Sequence, residues 1–169
     1  MTHVHGFPPI SRPDARVLIL GSMPSRESLA RRQYYAHPRN AFWPIVTGLL
    51  EIRATDYAER SEQLSRRGVA LWDVLQACFR SGSLDSAIDD STIVTNDFGA
   101  FFAAHPDIRR VYFNGAKAES VYRRHVLPTL GGPAAALPLQ RLPSTSPAHA
   151  GLSREEKSAV WRVIVDGLQ

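Results

Sequence analysis

Short apolar runs alternate along this chain with longer stretches in which apolar and polar residues are mixed. Residues 16–20 (RVLIL) form an apolar, β-branched run that ends at Gly21, which predicts a buried strand. Comparable runs at 69–75 (VALWDVL), 109–114 (RRVYFN) and 138–142 predict three more strands. Four short, nearly continuous apolar strands are typical of a parallel sheet.

The longer stretches between these runs predict helices. Asn96 or Asp97 and Ser153 are residue types that cap helix starts, and Glu156 completes a capping box with Ser153. The polar stretch 80–90 predicts a long loop. The predicted helices are 41–50, 56–67, one from 96 or 97 to about 104, one from about 116 to 127 before Pro128, and 153 to about 168.

Alternating strands and helices predict an α/β fold with a mostly parallel sheet covered on both faces. The length of 169 residues fits a single domain over 1–169. In such sheets the ligand site lies beyond the carboxyl ends of the strands. The candidate loops therefore follow Leu20, Asp73, Asn114 and Leu142.

The charge balance is modestly positive, with 20 Lys and Arg against 16 Asp and Glu. This balance is compatible with a polyanionic partner. Only Lys117 and Lys157 are lysines, so almost all the basic residues are arginines. This preference for arginine fits forked contacts with phosphates, and it fits a GC-rich coding sequence equally well. Cys78 is the only cysteine, which excludes an internal disulfide and a cysteine-rich cluster.

Targeting and metal signals are missing from the sequence. No apolar run is long enough to span a membrane, and residues 1–9 lack the regions of a signal peptide. We therefore expect a cytoplasmic protein. No three metal-ligating residues recur at ligand spacing, so we predict no metal.

Two loops near the first strand carry residue types suited to a nucleotide. The turn from Gly21 to Ser25 lets backbone approach a ligand closely, although an ordinary tight turn has the same composition. The segment 33–43 (QYYAHPRNAFW) offers aromatics that stack on a flipped base and amides that position water. We interpret Phe42 and Trp43 as core residues, and Asn40 either as a site residue, as a helix N-cap, or as both.

Each of the later candidate loops has two interpretations, one functional and one structural. Asp73 interrupts an apolar strand, so its carboxyl group either accepts the ring N–H of a nucleobase or bonds loop amides or Arg80. Asn114 has the same ambiguity. The segment 142–149 (LPSTSPAH) is a stiff loop that either bonds phosphates or is a structural turn. His37 and His149 have no visible carboxylate partner for a catalytic triad.

Six short segments, taken together and in order, resemble the hypoxanthine-DNA glycosylase (DNA-deoxyinosine glycosylase) branch of the uracil-DNA glycosylase superfamily. The resemblance implies a three-layer α/β/α fold with a central four-stranded parallel sheet, and no metal or nucleotide cofactor. The segments are Gly21–Ser25, Tyr35–Trp43, Leu71–Leu75, Gly82–Ser86, Phe113–Gly115 and Leu142–Pro147.

The resemblance also implies roles for individual residues. Many superfamily members activate water with an Asp or Asn where this chain has Met23, and in the hypoxanthine branch the role belongs to the position of Asn40. Tyr35 matches the aromatic that stacks on the flipped base. The expected substrate-binding residues are Gly21, Ser22, Met23, Pro24, Tyr35, Asp73 and Asn114, and the expected DNA-binding residues are Ser25, His37, Ser144, Thr145, Ser146 and Pro147.

These features predict a monomeric enzyme that hydrolyses the N-glycosidic bond of hypoxanthine, or of uracil, in double- or single-stranded DNA. The site loops contain no lysine, so we expect no Schiff-base lyase step and an intact abasic product. Three alternatives stay open: a uracil-preferring glycosylase, a non-catalytic module that binds damaged DNA, and a small-nucleotide-binding α/β protein. The non-catalytic module stays open because Met23 cannot activate water.

Overall fold

The computed structural model describes residues 2–169. Its strands are β1 (Thr2–His5), β2 (Val17–Gly21), β3 (Val69–Asp73), β4 (Leu75–Arg80), β5 (Val94–Thr95), β6 (Arg110–Asn114) and β7 (Leu139–Leu142). Its helices are α1 (Arg26–Arg31), α2 (Phe42–Leu49), α3 (Tyr57–Arg66), α4 (Phe98–Ala104), α5 (Ala116–Val121), α6 (Gly132–Ala135), α7 (Arg154–Trp161) and α8 (Val163–Gly167).

The central sheet has four parallel strands in the order β3-β2-β6-β7, which confirms the predicted α/β fold. Every residue of β2 and β3 is buried, as expected for strands covered on both faces. Helices flank this sheet; α5 contacts β2 and β6, and α3 contacts β3. In the register, Gly21 lies beside Asp73 and Leu20 beside Phe113, so the strands end at one edge.

The predicted strand 69–75 is wrong in extent, because the chain changes sheets at Val74. Residues from Leu75 onward form β4, which pairs antiparallel with β1 and β5 in a second, three-stranded sheet. The apolar run contains no local signal for this change. The amides of Val74 and Leu75 bond the carbonyls of Gly21 and Ser22 across the sheet edge, and those contacts redirect the chain.

The second sheet was not predicted. The expected loop at 80–90 is also more regular than its polar residues suggested. Strand β4 extends to Arg80, and two 3₁₀ turns, Asp85–Ala87 and Asp90–Thr92, occupy much of the rest. Strand β1 pairs with residues far along the chain, His5 opposite Ala77, which local patterns do not reveal.

The helix boundaries follow the predicted capping residues where these exist. Asp97, rather than Asn96, caps α4, and the Ser153–Glu156 capping box is present at α7. The predicted helix 153–168 is divided at Arg162 into α7 and α8. The predicted helix 116–127 is regular only to Val121, and a π turn and then a 3₁₀ turn continue it.

No helix within residues 2–169 has the length and apolar character needed to cross a membrane.

Candidate active site

A cavity of about 590 Å³ opens at the carboxyl edge of the central sheet. This is a typical size for a small-ligand site, and its position agrees with the rule for parallel sheets. Twelve of the predicted site residues line it: Gly21, Ser22, Met23, Pro24, Ser25, Tyr35, Asn40, Asp73, Asn114, Ser144, Thr145 and Ser146. His37 and Pro147 are not part of the lining, and His149 is.

Gly21 is needed because two polar side chains meet against its backbone. A Cβ atom at this position would lie 2.5 Å from Asp73 Oδ1 and 2.9 Å from the Tyr35 hydroxyl. Both distances are shorter than a real Cβ contact allows. The absence of a side chain at Gly21 therefore brings the carboxyl group and the phenol together at the cavity wall.

Tyr35 has a strained backbone and a buried hydroxyl group. Its φ is 55°, a left-handed conformation that non-glycine residues seldom adopt. Its ring stacks on Phe42 with centroids 4.1 Å apart, and its hydroxyl oxygen has no hydrogen-bond partner among residues 2–169. Burial and then the charge of Asp73 raise the pKa of Tyr35, so its hydroxyl is a neutral donor at physiological pH.

Asn40 lies one residue before the N-cap of α2 and also lines the cavity. The interpretation of Asn40 as the N-cap is wrong by one position, because the N-cap is Ala41, which makes no side-chain capping bond. Asn40 Oδ1 instead accepts a hydrogen bond of 2.9 Å from the Phe42 amide, two residues on, in a turn that leads into the helix. An amide oxygen has a second lone pair, and the Nδ2 group has two hydrogens. The bond to the Phe42 amide therefore fixes the amide group of Asn40 and leaves it able to orient a water molecule or a ligand atom.

Asp73 is 4% exposed, and its Oδ2 atom has no hydrogen-bond partner among residues 2–169. Burial is the main cause that raises the pKa of Asp73 to about 7, the charge of Asp85 adds to it, and Arg80 opposes both. The hypothesis that Arg80 bonds Asp73 is wrong in this structure. The guanidinium group of Arg80 instead donates to the carbonyls of Gly82 and Pro24, at 2.8 and 2.7 Å.

The loop at residues 82–86 forms one wall of the cavity, with residues 83–86 in the lining. Residue types alone suggested no role for this loop. The Ser22 hydroxyl donates to Asp85 Oδ1 at 2.5 Å, and the Arg26 amide donates to the Ser83 hydroxyl at 2.9 Å. The buried Arg80 also joins these two loops, because its guanidinium group donates to a carbonyl of each. The resemblance of Gly82–Ser86 to the family was the one sequence signal that marked this wall.

Asn114 holds the end of β6 to the loop that follows β7. Its Nδ2 donates to the Thr145 hydroxyl and its Oδ1 accepts from the Thr145 amide, both at 2.9 Å. Gly115 has a φ of 94°, and a Cβ there would approach Ser144 Cβ to 3.2 Å. The structural interpretation of Asn114 is therefore confirmed, although its side chain also lies on the cavity wall.

Helix α7 supports the same loop from behind. The ammonium group of Lys157, a residue only 5% exposed, donates to the carbonyls of His149 and Ser146, at 2.6 and 3.4 Å. The Trp161 indole donates to the Pro143 carbonyl at 2.8 Å. Three carbonyl groups of residues 143–149 thus point toward α7, which sets the shape that the loop presents to the cavity.

Lys117 lines the cavity although the site loops contain no lysine, because it lies in the first turn of α5. Its ammonium group pairs with Asp90 at 2.5 Å, and this bond lowers the pKa of Asp90. Within residues 2–169 no three His, Cys, Asp or Glu side chains are arranged to hold a metal ion.

Comparison with known proteins agrees with this geometry. The family model of the uracil DNA glycosylase superfamily matches residues 8–166. Two proteins named hypoxanthine DNA glycosylase are each 37% identical to this chain. The match to the Methanosarcina barkeri protein spans 115 residues, 67% of this chain and 72% of that relative. The match to the Methanosarcina acetivorans protein spans 137 residues, 75% of this chain and 85% of that relative.

A solved structure extends the similarity to almost the entire fold. The solution NMR structure of a candidate uracil DNA glycosylase from Methanosarcina acetivorans superposes with a TM-score of 0.77 at 33% identity, covering 97% of this chain and 99% of that chain. The resemblance read from the sequence motifs is therefore confirmed, and this chain belongs to the uracil DNA glycosylase superfamily.

Proposed function

We propose that this protein is a DNA repair glycosylase that hydrolyses the N-glycosidic bond of a deaminated base in DNA, with hypoxanthine as its preferred base. The observation that carries the proposal is one cavity lined by Tyr35, Asn40 and Asp73 at the carboxyl edge of the sheet. The superfamily membership and the two relatives named hypoxanthine DNA glycosylase support the same activity.

Base recognition in this proposal uses the edge that deamination creates. Hypoxanthine and uracil carry a keto oxygen beside a ring N–H, whereas adenine and cytosine carry an exocyclic amine. The Asp73 carboxyl group accepts the ring N–H, and its buried, unpartnered Oδ2 supports this role. Leaving a buried acceptor unpaired costs roughly 1–3 kcal/mol, so a base without the N–H is disfavoured.

Asn40 orients the attacking water beneath the anomeric carbon. A neutral amide is no strong base, but positioning and electrostatics suffice when the transition state resembles an oxocarbenium ion. The hydrogen bond from the Phe42 amide holds the side chain of Asn40 in place. Met23, at the position where many superfamily members have an acid or amide, cannot activate water, and its side chain contacts the extruded nucleotide from the cavity wall.

The remaining predicted contacts serve the nucleotide and its phosphates. Gly21, Ser22, Pro24 and Asn114 contact the extruded nucleotide, and Tyr35 stacks on its base. Ser25, His37 and the loop Ser144–Pro147 contact the DNA backbone, with His37 and Pro147 acting outside the cavity. The protein acts as a monomer on duplex or single-stranded DNA.

The reaction stops at an abasic site in this proposal, despite the presence of Lys117. A Schiff base needs an unprotonated amine. The ammonium group of Lys117 is held in an ion pair with Asp90. Borohydride reduction during turnover should therefore trap no covalent complex, and a trapped complex lost in Lys117→Ala would show a lyase step instead.

The decisive experiment compares base release from matched oligonucleotides containing inosine or uracil, as duplexes and as single strands. We expect alkali-labile abasic sites with inosine and slower release of uracil. Faster release of uracil would favour the uracil-preferring alternative, and Asp73→Asn should change the ratio of the two rates. DNA binding without abasic sites on either lesion would favour the non-catalytic module.

A further inference from the structure

The proposed hydrolysis releases a proton that neither Asn40 nor Asp73 is placed to accept. A water molecule that attacks the anomeric carbon must lose one of its protons. Asn40 can orient this water, but its amide group is neutral and is not a base. In the proposal, the Asp73 carboxyl group is engaged with the ring N–H of the base. The cavity must therefore supply another group that takes up the proton.

The cavity lining of residues 2–169 offers two such groups besides Asp73, the carboxylate of Asp85 and the imidazole of His149. His149 belongs to the loop that we assign to the DNA backbone, and its carbonyl accepts from Lys157 of α7. Asp85 belongs to the 82–86 wall, which contacts the turn that follows β2. Asp85 is thus the carboxylate nearer to the turn that receives the nucleotide.

The side chain of Asp85 is fixed by one oxygen and left open at the other. Its Oδ1 accepts from the hydroxyl of Ser22, at 2.5 Å, and Ser22 directly precedes Met23. Among the contacts of residues 2–169, no ion pair includes Asp85 and no hydrogen bond engages its Oδ2. The carboxylate is therefore held in one orientation, with an oxygen available to a water molecule.

The charge of Asp85 acts on the groups that flank Gly21. Burial, and after it the charge of Asp85, raises the pKa of Asp73 to about 7. Burial also raises the pKa of Tyr35, and the charges of Asp73 and Asp85 add to this effect. Because such effects weaken with distance, the Asp85 carboxylate lies near the groups proposed to hold the base. A negative charge there stabilises the positive charge that develops on the anomeric carbon.

We propose that Asp85 is the general base of the reaction, whose carboxylate accepts the proton of the water that Asn40 orients. The water oxygen bonds to the anomeric carbon as the bond from that carbon to the base nitrogen breaks. The electron pair of the broken bond leaves with the base. The proton on Asp85 then passes through solvent to the departed base, which restores the carboxylate and leaves a neutral base and an intact abasic sugar. This assignment rests on the proposed glycosylase function.

The first test replaces Asp85 with Asn, which keeps the size of the side chain and an oxygen for the Ser22 hydroxyl but carries no charge. We expect the single-turnover rate on an inosine duplex to fall by about a hundredfold or more, the range of a general base. The dissociation constant for the duplex should stay the same or fall, because a negative charge near a polyanion is removed. Damage to the loop would instead weaken binding together with the rate.

Asp89→Asn is the matched control. Asp89 lies four residues further along the chain, accepts from the Ser91 amide at 3.0 Å and does not line the cavity. This variant should keep both the rate and the affinity of the wild type.

Rescue by a small carboxylate tests the chemical role directly. Asp85→Ala leaves room for formate, so added formate should raise the rate of this variant at least about tenfold, in the range that one general base contributes. Sodium chloride at the same ionic strength should not. Formate should also leave Asn40→Ala unchanged, because that variant lacks the group that orients the water.

The outcomes separate this assignment from the proposed function. A near-normal rate in Asp85→Asn, or a parallel loss of rate and affinity without rescue by formate, would overturn the role of Asp85. A large loss in His149→Ala together with a normal Asp85→Asn rate would assign the proton to His149 instead. Inactivity of the wild type on both inosine and uracil would reject the glycosylase function itself.

Discussion

At the scale of single residues, Asn40 combines a structural bond with a proposed chemical role. Replacing Asn40 with Ala should lower the single-turnover rate of base release by about a hundredfold, the loss typical when one polar group acting on the transition state is removed. The same change removes the hydrogen bond to the Phe42 amide before α2, at about 1 kcal/mol of stability.

The control for Asn40 is another side chain that bonds a backbone amide at a helix start, away from the cavity. Asp97 accepts a bond from the Ala100 amide at the start of α4, and it does not line the cavity. Asp97→Ala should reduce stability by a similar amount and leave the rate of base release intact. A near-normal rate in Asn40→Ala would reject the proposed role.

Asp73 makes stability depend on pH in a direction opposite to that of a salt-bridged carboxylate. Because its pKa is raised to about 7 in the folded protein, the folded state binds a proton that the unfolded chain has already released. The free energy of unfolding should therefore fall as pH rises from about 4 to about 7, by an amount on the order of a few kcal/mol for this residue.

Asp73→Asn tests this dependence, since asparagine keeps the shape and never ionises. The variant should be more stable than the wild type at pH 8 and similar to it near pH 4, as measured by urea unfolding at both values. An equal difference between the two proteins at both pH values would contradict a raised pKa.

At the scale of elements, α7 determines the shape of the loop that grips DNA in our proposal. Lys157→Met leaves the carbonyls of Ser146 and His149 without their donor, so we expect the dissociation constant for DNA to rise by about tenfold, equivalent to one lost buried hydrogen-bond donor. Trp161→Phe removes the donor to Pro143 and should act in the same direction.

The salt dependence distinguishes a positioning role of Lys157 from a direct phosphate contact. A residue that supports the loop from behind should leave the slope of log affinity against log salt unchanged in Lys157→Met. A slope reduced by about one unit would instead mean that Lys157 itself neutralises a phosphate.

At the scale of the whole molecule, the two sheets build the cavity jointly. The parallel sheet aligns the ends of its strands, while β4 of the second sheet ends at Arg80 and leads into the 82–86 wall. The chain passes from one sheet to the other at Val74, directly after Asp73. A change that loosens the second sheet should therefore alter the cavity as well as stability.

The whole molecule also carries a net charge of +4, contributed almost entirely by arginine on the basic side. Affinity for an undamaged duplex should fall steadily between 50 and 200 mM salt, with a slope of about −0.9 for each phosphate neutralised. Fluorescence anisotropy of a labelled duplex measures this slope. A flat response would argue against duplex binding and favour the small-nucleotide alternative.

Local patterns in the sequence were sufficient for the strands of the central sheet, for most of the helices and for the edge of the sheet that carries the site, but not for the second sheet. Apolar runs identify buried strands, and capping residues such as Asp97 and Ser153 identify helix starts, because both signals depend on near neighbours in the chain. Residue types in the predicted loops indicated Asn40 and Asp73, the family motifs gave Tyr35 and Asn40 their roles, and all three residues line one cavity.

Only the tertiary structure decided which distant groups meet and in what state. Ser22 bonds Asp85, which is 63 positions away, and Lys157 bonds a loop that precedes its own helix. The raised pKa of Asp73 and the ion pair of Lys117 with Asp90 arise from burial and neighbours that no local pattern contains. The sequence by itself determined strands, caps and motifs because these depend on adjacent residues, whereas the environment of each side chain exists only once the chain has folded.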